Sequence, residues 1–355
     1  TLFRSQGIYD DALIAELLSL GITGAYFEEK YGGAGDDGGD VLSYILAVEE
    51  LAKYDAGVSI TLSATVSLCA NPIWQFGTEE QKEKFLVPLV EGTKLGAFGL
   101  TEPNAGTDAS GQQTVAVKND DGTYTLNGSK IFITNGGHAD IYIVFAMTDK
   151  SKGNHGITAF ILEDGMPGFT YGKKEDKMGI HTSVTMELVF QDVKVPAENM
   201  LGEEGKGFKI AMMTLDGGRI GVAAQALGIA EAALADAVEY SKQRVQFGKP
   251  LCKFQSVSFK LADMKMQIEA ARNLVYKAAC LKQEGKPFTV DAAIAKRVAS
   301  DVAMRVSTEA VQIFGGYGYS EEYPAARHMR DAKITQIYEG TNEVQLMVTA
   351  GALLR

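Results

Sequence analysis

YTLNGSKIFITNG, residues 124–136, is where the periodicity of the chain is plainest. Its side chains alternate with period two, as a half-buried strand requires. It also holds two Asn-Gly dipeptides, Asn127-Gly128 and Asn135-Gly136, which read as hairpin-type turn signals. The same alternation returns in IYIVFAM (141–147), GITAFILED (156–164) and TMELVFQDVKVP (185–196). Residues 95–203 therefore read as an antiparallel β domain of about seven strands.

On both sides of this region the period changes. DDALIAELLSLG (10–21), VLSYILAVEELAKYD (41–55) and VSITLSATVSLCANPIWQFG (58–77) space their apolar residues at helical intervals. Gly21 is placed to be a C′ residue. The third of these helices is made of small and apolar residues and is expected to be buried. TEEQKEKFLVPLVEG (78–92) opens on a capping box, Thr78 with Gln81. Beyond residue 204 come long amphipathic runs at 207–244, 254–285 and 291–316, then NEVQLMVTAGALLR at 342–355. The fold class is α+β in the order α, β, α: an N-terminal helical domain (1–94), a central antiparallel β domain (95–203) and a C-terminal four-helix bundle (204–355).

Composition narrows the function. Of 355 residues, 46% are apolar and 22% charged, an ordinary globular balance. A net charge of −11 leaves no cationic excess to neutralise nucleic-acid phosphates, so no nucleic-acid partner is expected. Cys69, Cys252 and Cys280 are far apart in sequence, so neither a disulfide framework nor a zinc cluster is indicated, and a reducing compartment is expected. No run of about 18 apolar residues predicts a membrane span. The chain opens TLFRSQG, without Met and without a secretory pattern. The natural N-terminus, including a first helix, is therefore expected to lie upstream.

Gly33, Gly35 and Gly38 match the dinucleotide fingerprint G-x-G-x-x-G, after a strand-like TGAYF (23–27) and before a helix. Asp36 and Asp37 in the loop would repel a pyrophosphate, and a second helix follows where a βαβ unit needs a strand. This stretch reads as a surface loop. Five other segments stand out. FGLTEPNAGTD (98–108) is a strand broken at Pro103, with Gly106 allowing close backbone approach and Thr101 and Thr107 offering hydroxyls. KIFITNGGHAD (130–140) sets Phe132 and Thr134 on one strand face, opposite Ile131 and Ile133. RVQFGKPLCKFQ (244–255) sets Arg244 beside Phe247, then Phe254 and Gln255. QIFGGYGYSEEYP (312–324) holds Gln312, Ile313, Gly315 and Gly316, and QIYEGTNEVQ (336–345) sets Glu339 between Tyr338 and Gly340. Taken singly, each has an ordinary reading as a turn, core strand, helix connection or helix cap.

Together and in this order they closely resemble the acyl-CoA dehydrogenase flavoprotein family, most of all its short-chain branch from fermenting anaerobes. The resemblance runs from YGG (31–33) to the C-terminus. It implies FAD as cofactor, held by Phe98, Leu100, Thr101, Gly106, Thr107, Phe132, Ile133 and Thr134. Many relatives carry Trp at the Phe132 position. It further implies FAD contacts shared across a dimer interface from Arg244, Phe247, Phe254, Gln255, Gln312, Ile313, Gly315 and Gly316, with Thr341 and Glu343 near the adenosine. Thr107, Asp216, Arg219, Tyr338 and Gly340 match substrate-side positions for an acyl-CoA, and no metal is implied.

The catalytic base implied is Glu339. The isovaleryl-type enzymes carry theirs just before the arginine of the substrate helix, a position occupied here by Gly218. Glu339 would take the α proton of a short-chain acyl-CoA such as butyryl-CoA while the β hydride leaves to flavin N5. The thioester oxygen would rest on the Glu339 N–H and a ribityl hydroxyl. A following helix N-terminus favours the carboxylate and burial opposes it, and burial is expected to win. Electron-transferring flavoprotein is the implied partner and a homotetramer, a dimer of dimers, the implied assembly. The cytoplasm is the expected location in a bacterium, or the mitochondrial matrix in a eukaryote. An acyl-CoA oxidase, a branched-chain or glutaryl-type dehydrogenase and a non-catalytic scaffold are the alternative readings.

Overall fold

A computed structural model describes residues 8–35 and 39–355 of the chain. By internal contacts the chain divides into two compact units: residues 1–40, 61–176 and 182–218, and residues 41–60, 177–181 and 219–355.

The first unit is built on an eight-stranded sheet of β1 (Gly96–Gly99), β2 (Val115–Lys118), β3 (Tyr124–Thr134), β4 (Ile141–Met147), β5 (Ile157–Glu163), β6 (Phe169–Lys174), β7 (Thr185–Val195) and β8 (Met200–Leu201). The order is β6-β7-β3-β2-β4-β5-β8, with β1 also on β4. Most pairings are antiparallel, as expected, but β1 runs parallel to β4 along its whole length. Tyr124, Leu126, Tyr142, Phe160, Leu188 and Phe190 meet in the core on this sheet.

Neither Asn-Gly dipeptide closes a hairpin. Asn127-Gly128 lies inside β3, at a register shift against β7. Gly128 has φ +144°, and a Cβ there would sit 2.5 Å from Thr114 Oγ1, so the glycine serves a bulge and a close approach. Asn135-Gly136 does turn the chain, but it connects β3 to β4, which are not hydrogen-bonded to each other. The hairpin reading of both dipeptides is thus corrected: Asn-Gly favours a local left-handed backbone, but which strands pair is a non-local outcome that it does not encode.

Helix α1 (Asp11–Ser19) is capped by Asp10, whose carboxylate accepts from Ala12 and Leu13 N–H, and it ends at Gly21 with φ +74°. The strand-like 23–27 is instead part of a 3₁₀ turn, Ile22–Tyr26, so no βαβ unit forms around the glycine triplet. Asp36, Asp37 and Gly38 of that triplet's loop lie outside the described residues. Helix α2 spans Val41–Tyr54 and α3 spans Ala56–Phe76. The middle of α3, Ala64–Ala70, is π-helical and wholly buried. In α4 (79–90) the capping box is present: Thr78 Oγ1 accepts from Gln81 N–H at 3.3 Å and Gln81 Oε1 from Thr78 N–H at 3.1 Å.

In the second unit lie most of α5 (Gly207–Gln243), a short hairpin of β9 (Val245–Gln246) and β10 (Lys249–Pro250), α6 (Gln255–Gln283), α7 (Thr289–Phe314), α8 (Pro324–Thr335) and α9 (Asn342–Leu353). The sequence reading singles out no helix over 324–335. Its apolar residues are few, but Pro324 supplies the first-turn φ and Ala325, His328, Asp331, Ala332 and Thr335 form its buried stripe. A buried ion cluster ties α2 to α5 and α6, with Arg272 bonded to both Glu49 and Glu231. Among the described residues, two helices, α3 and α5, are long and apolar enough to cross a membrane by length and composition. Their most apolar windows are 100% and 72% buried inside the fold, which marks them as core helices.

Candidate active site

Glu339 sits in the connection between α8 and α9, and that connection is tightly specified. Tyr338 N–H donates to the Ile334 carbonyl at 3.1 Å, and Asn342 N–H donates back to the Gln336 carbonyl at 3.0 Å. The loop can close over so few residues because Glu339 and Gly340 both have left-handed backbones, φ +53° and +90°. Glycine adopts this freely; for a glutamate it is strained, and such strain persists only where the surroundings impose it. Thr341 then caps α9, accepting from Val344 N–H at 3.4 Å.

Although Glu339 is partly open to solvent as a residue, its Oε2 is enclosed and has no hydrogen-bond partner among the described residues. Burial pushes its pKa up to about 7. The charges of Lys296 and Arg219 work in the opposite direction and do not prevail. Burial therefore wins, as expected, but the opposing influence comes from two cations. Arg219 is itself buried and donates from Nε to the Glu339 carbonyl at 3.4 Å. The Glu339 N–H makes no backbone hydrogen bond among the described residues. The neighbouring Tyr338 hydroxyl bonds Gln225 Oε1, and Gln225 Nε2 in turn donates to the Ala56 carbonyl at 2.7 Å.

In the first unit, one hydrogen bond, Ile131 N–H to the Thr101 carbonyl at 2.9 Å, sets the 98–107 segment beside the end of β3. Phe132 has φ +58° and lies in the register shift between Lys130 and Ile133. The bulge turns its ring outward, leaving it 60% exposed, while Ile133 enters the core. Phe98, Thr101 and Thr134 are half-buried, Leu100 is buried, and Gly106 and Thr107 are exposed. Behind them Lys130 Nζ, fully buried, holds Glu102 Oε1 at 2.7 Å, Gln112 Oε1 at 3.0 Å and the Leu100 carbonyl at 3.1 Å.

In the second unit, a cleft of ≈ 560 Å³ is lined by Arg244, Tyr240, Ile313, Phe314, Gly315, Gly316 and Tyr317, among others. The Arg244 guanidinium lies 5.5 Å from the centre of the Tyr317 ring. Phe247, at the tip of the β9–β10 turn, is 94% exposed with φ +50°, and its ring meets Phe254 edge-on at 6.2 Å. Gln255 and Gln312 are exposed, Glu343 lies in the first turn of α9, and Asp216 is half-buried on α5. Thus Arg244, Ile313, Gly315 and Gly316 come together on one cleft, while Phe247, Phe254 and Gln255 stand outside its lining.

Three family profiles match the chain: "Acyl-CoA dehydrogenase, N-terminal domain" over residues 3–93, the "middle domain" over 97–193 and the "C-terminal domain" over 205–354. The short-chain specific acyl-CoA dehydrogenase of Megasphaera elsdenii is 95% identical over 350 residues, 99% of this chain and 91% of that protein. The chain belongs to the acyl-CoA dehydrogenase family. The solved butyryl-CoA dehydrogenase from Megasphaera elsdenii matches with a TM-score of 0.98 at 94% identity, covering 99% of this chain and 92% of that one. A chain solved with the subject "Electron transferring flavoprotein of Acidaminococcus fermentans: Towards a mechanism of flavin-based electron bifurcation" matches at TM-score 0.97 and 67% identity, covering 99% and 92%.

This acyl-CoA dehydrogenase is a short-chain enzyme and uses FAD. Its residues fit that cofactor within each unit. The exposed Phe132 ring with Thr101 and Thr134 offers a flat apolar wall beside hydroxyls. A Cβ built at Gly106, Gly315 or Gly316 would meet nothing within 4 Å, so these glycines border open space. Arg244 places a cation on the cleft that Gly315 and Gly316 line, as an anionic diphosphate needs.

Sequence reading missed the polar supports. Lys296 is fully buried on α7, on the face formed by Ala292, Ala293, Ala299 and Ser300. A lysine at that spacing among small buried residues was the available signal. Lys130 shares the parity of the buried Tyr124 and Leu126 along β3, and that alternation was its signal.

Proposed function

We propose that Glu339 is the base that removes the α proton of a short-chain acyl-CoA, with butyryl-CoA as the substrate suggested by the likeness to the Megasphaera elsdenii butyryl-CoA dehydrogenase. The observation that carries this reading is the enclosed, unpartnered Oε2 of a glutamate whose pKa is raised to about 7. A carboxylate with that pKa is ionised often enough to accept a proton near neutrality and is a stronger base than a solvated one. An α-thioester proton is weakly acidic, so its removal also needs the enolate-like oxygen to be stabilised. The Glu339 N–H is the donor we assign to that oxygen, worth about 3 kcal/mol for one preorganised donor. Arg219 holds the Glu339 carbonyl and Lys296 the Gly340 carbonyl, both just after the residue that bears the carboxyl. Bound FAD supplies the two-electron acceptor for the β hydrogen. Phe98, Leu100, Thr101, Thr107, Phe132 and Thr134 are the residues we assign to holding it, with backbone contact from Gly106 and Ile133, while Arg244, Gly315 and Gly316 are assigned to FAD contacts shared across a subunit interface.

The same reading extends to Phe247, Phe254, Gln255, Gln312 and Ile313 as contacts toward a partner subunit's cofactor and to Thr341 and Glu343 near its adenosine. Thr107, Asp216, Tyr338 and Gly340 complete the substrate side. It makes the protein a cytoplasmic homotetramer in three domains (1–94, 95–203, 204–355) that exchanges electrons with an electron-transferring flavoprotein. Support for that partner is the likeness to the Acidaminococcus fermentans chain. Support for an assembly is the exposure of Phe247 and of Leu346, Met347, Leu353 and Leu354 on α9 and its end.

The test is anaerobic addition of butyryl-CoA to the FAD-loaded enzyme and to Glu339→Gln. The expected outcome is bleaching of the flavin band in the first and a rate lower by at least about 1,000-fold in the second. Comparable bleaching in both rejects Glu339 as the base.

A further inference from the structure

Gly340 is the residue after the proposed base, and its carbonyl oxygen accepts two side-chain donors. Lys296 Nζ reaches it at 2.8 Å from α7, and Gln345 Nε2 reaches it at 2.8 Å from the first turns of α9. Lys296 Nζ also donates to Asn342 Oδ1 at 3.1 Å. Asn342 is fixed in turn by Ser300 Oγ at 3.0 Å and Asp301 Oδ1 at 2.8 Å. One fully buried ammonium thus joins the turn that carries Glu339 to the helix that follows it. Two successive left-handed residues, one of them a glutamate, are strained, and Lys296 adds a long-range restraint to the local bonds of the turn.

We propose that Lys296 is a positioning residue for the Glu339 carboxyl: its clamp on the Gly340 carbonyl and Asn342 fixes the strained turn and sets a buried positive charge behind it. This rests on Glu339 being the base. The titratable groups that act on the pair include the Tyr338 hydroxyl, which feels the Glu339 charge. Arg219 on α5 adds a second positive charge, while Asp301 on α7 and Glu343 on α9 act on Lys296 from its other sides. Burial lowers the Lys296 pKa to about 8, with the Glu339 charge pulling it back up, so the ammonium is still the main form at pH 7. Removing it leaves Glu339 with burial on one side of the balance and Arg219 alone on the other. The carboxyl must then hold its proton to higher pH, and the turn loses one of its two clamps.

The experiment uses FAD-loaded enzyme and anaerobic stopped-flow reduction by butyryl-CoA across pH 5.5–9, in wild type, Lys296→Met, Lys296→Arg and Gln345→Met. In Lys296→Met the reduction rate is expected to fall about 10- to 100-fold, as a displaced catalytic group loses, and its pH midpoint to rise by about one unit. Lys296→Arg is expected to hold the wild-type midpoint. Gln345→Met, which removes the other donor but no charge, is expected to lose rate with an unmoved midpoint. A folded, flavin-loaded Lys296→Met with wild-type rate and midpoint overturns the proposal. Should Lys296→Met not fold, a wild-type rate in Gln345→Met overturns the clamp. If Glu339→Gln remains active, the reading of Glu339 as base has failed instead, which these variants do not mimic.

Discussion

Lys130 and Glu102 form a buried ion pair, Nζ to Oε1 2.7 Å, with 0% and 4% of their side chains exposed. Burial lowers the lysine pKa to about 8, against the pull of Glu102. For Glu102 burial works upward, yet the charge and hydrogen bond of Lys130, with donors from Gln113 and Thr114, hold its carboxyl below the usual range. The pair joins the 98–107 segment to β3 two residues before Phe132, so it fixes the backbone of both segments assigned to the flavin.

Breaking this pair by Lys130→Met leaves a buried carboxylate alone and should destabilise the first unit by about 3–5 kcal/mol. Urea unfolding followed by intrinsic fluorescence checks the loss, and flavin content after gel filtration should fall with it. Lys130→Met combined with Glu102→Gln should regain part of the stability, because the uncompensated charge is gone.

The second prediction concerns pH. Glu339 must be ionised to accept a proton, and its pKa stands at about 7. The rate of flavin reduction in the free enzyme should therefore rise with pH through a midpoint near 7 and flatten above it. Stopped-flow kcat/KM profiles measure this directly. A midpoint near the ordinary carboxylate value would show a solvated base.

Stability should respond to the same residue with the opposite sign. The folded pKa is raised from 4.5 to about 7, so between those values the folded chain binds more protons than the unfolded one. Stability is lost as pH rises through that window and stays lower above it. Glu339→Gln cannot ionise and escapes this loss, on the order of 3 kcal/mol if the full shift is expressed. Urea midpoints at pH 5 and pH 8 should show the variant's advantage mainly at pH 8; an equal difference at both would remove the electrostatic explanation.

Arg244→Met removes the cation from the cleft lined by Gly315 and Gly316. Loss of a charge-assisted hydrogen bond costs about 1.5–3 kcal/mol, so FAD should bind roughly 10- to 100-fold more weakly. Reconstitution of the stripped protein, followed by quenching of flavin fluorescence, gives the affinity. Unchanged FAD affinity would place Arg244 outside the cofactor site.

The sequence by itself determined the order of elements, because helical and strand periods are local and α2, α3, α5, α6 and α7 begin and end within about two residues of where periodicity put them. It also determined the capping box at Thr78, since that is carried by a short motif. Tertiary structure alone decided that Asn127-Gly128 is a bulge, that β1 runs parallel to β4 and that Phe132 turns outward. Those depend on which strand lies alongside, and pairing partners are set by contacts across tens of residues. The pKa of Glu339 belongs to the same class. Its burial and the cations at Lys296 and Arg219, 43 and 120 positions away in sequence, meet only when the chain is folded.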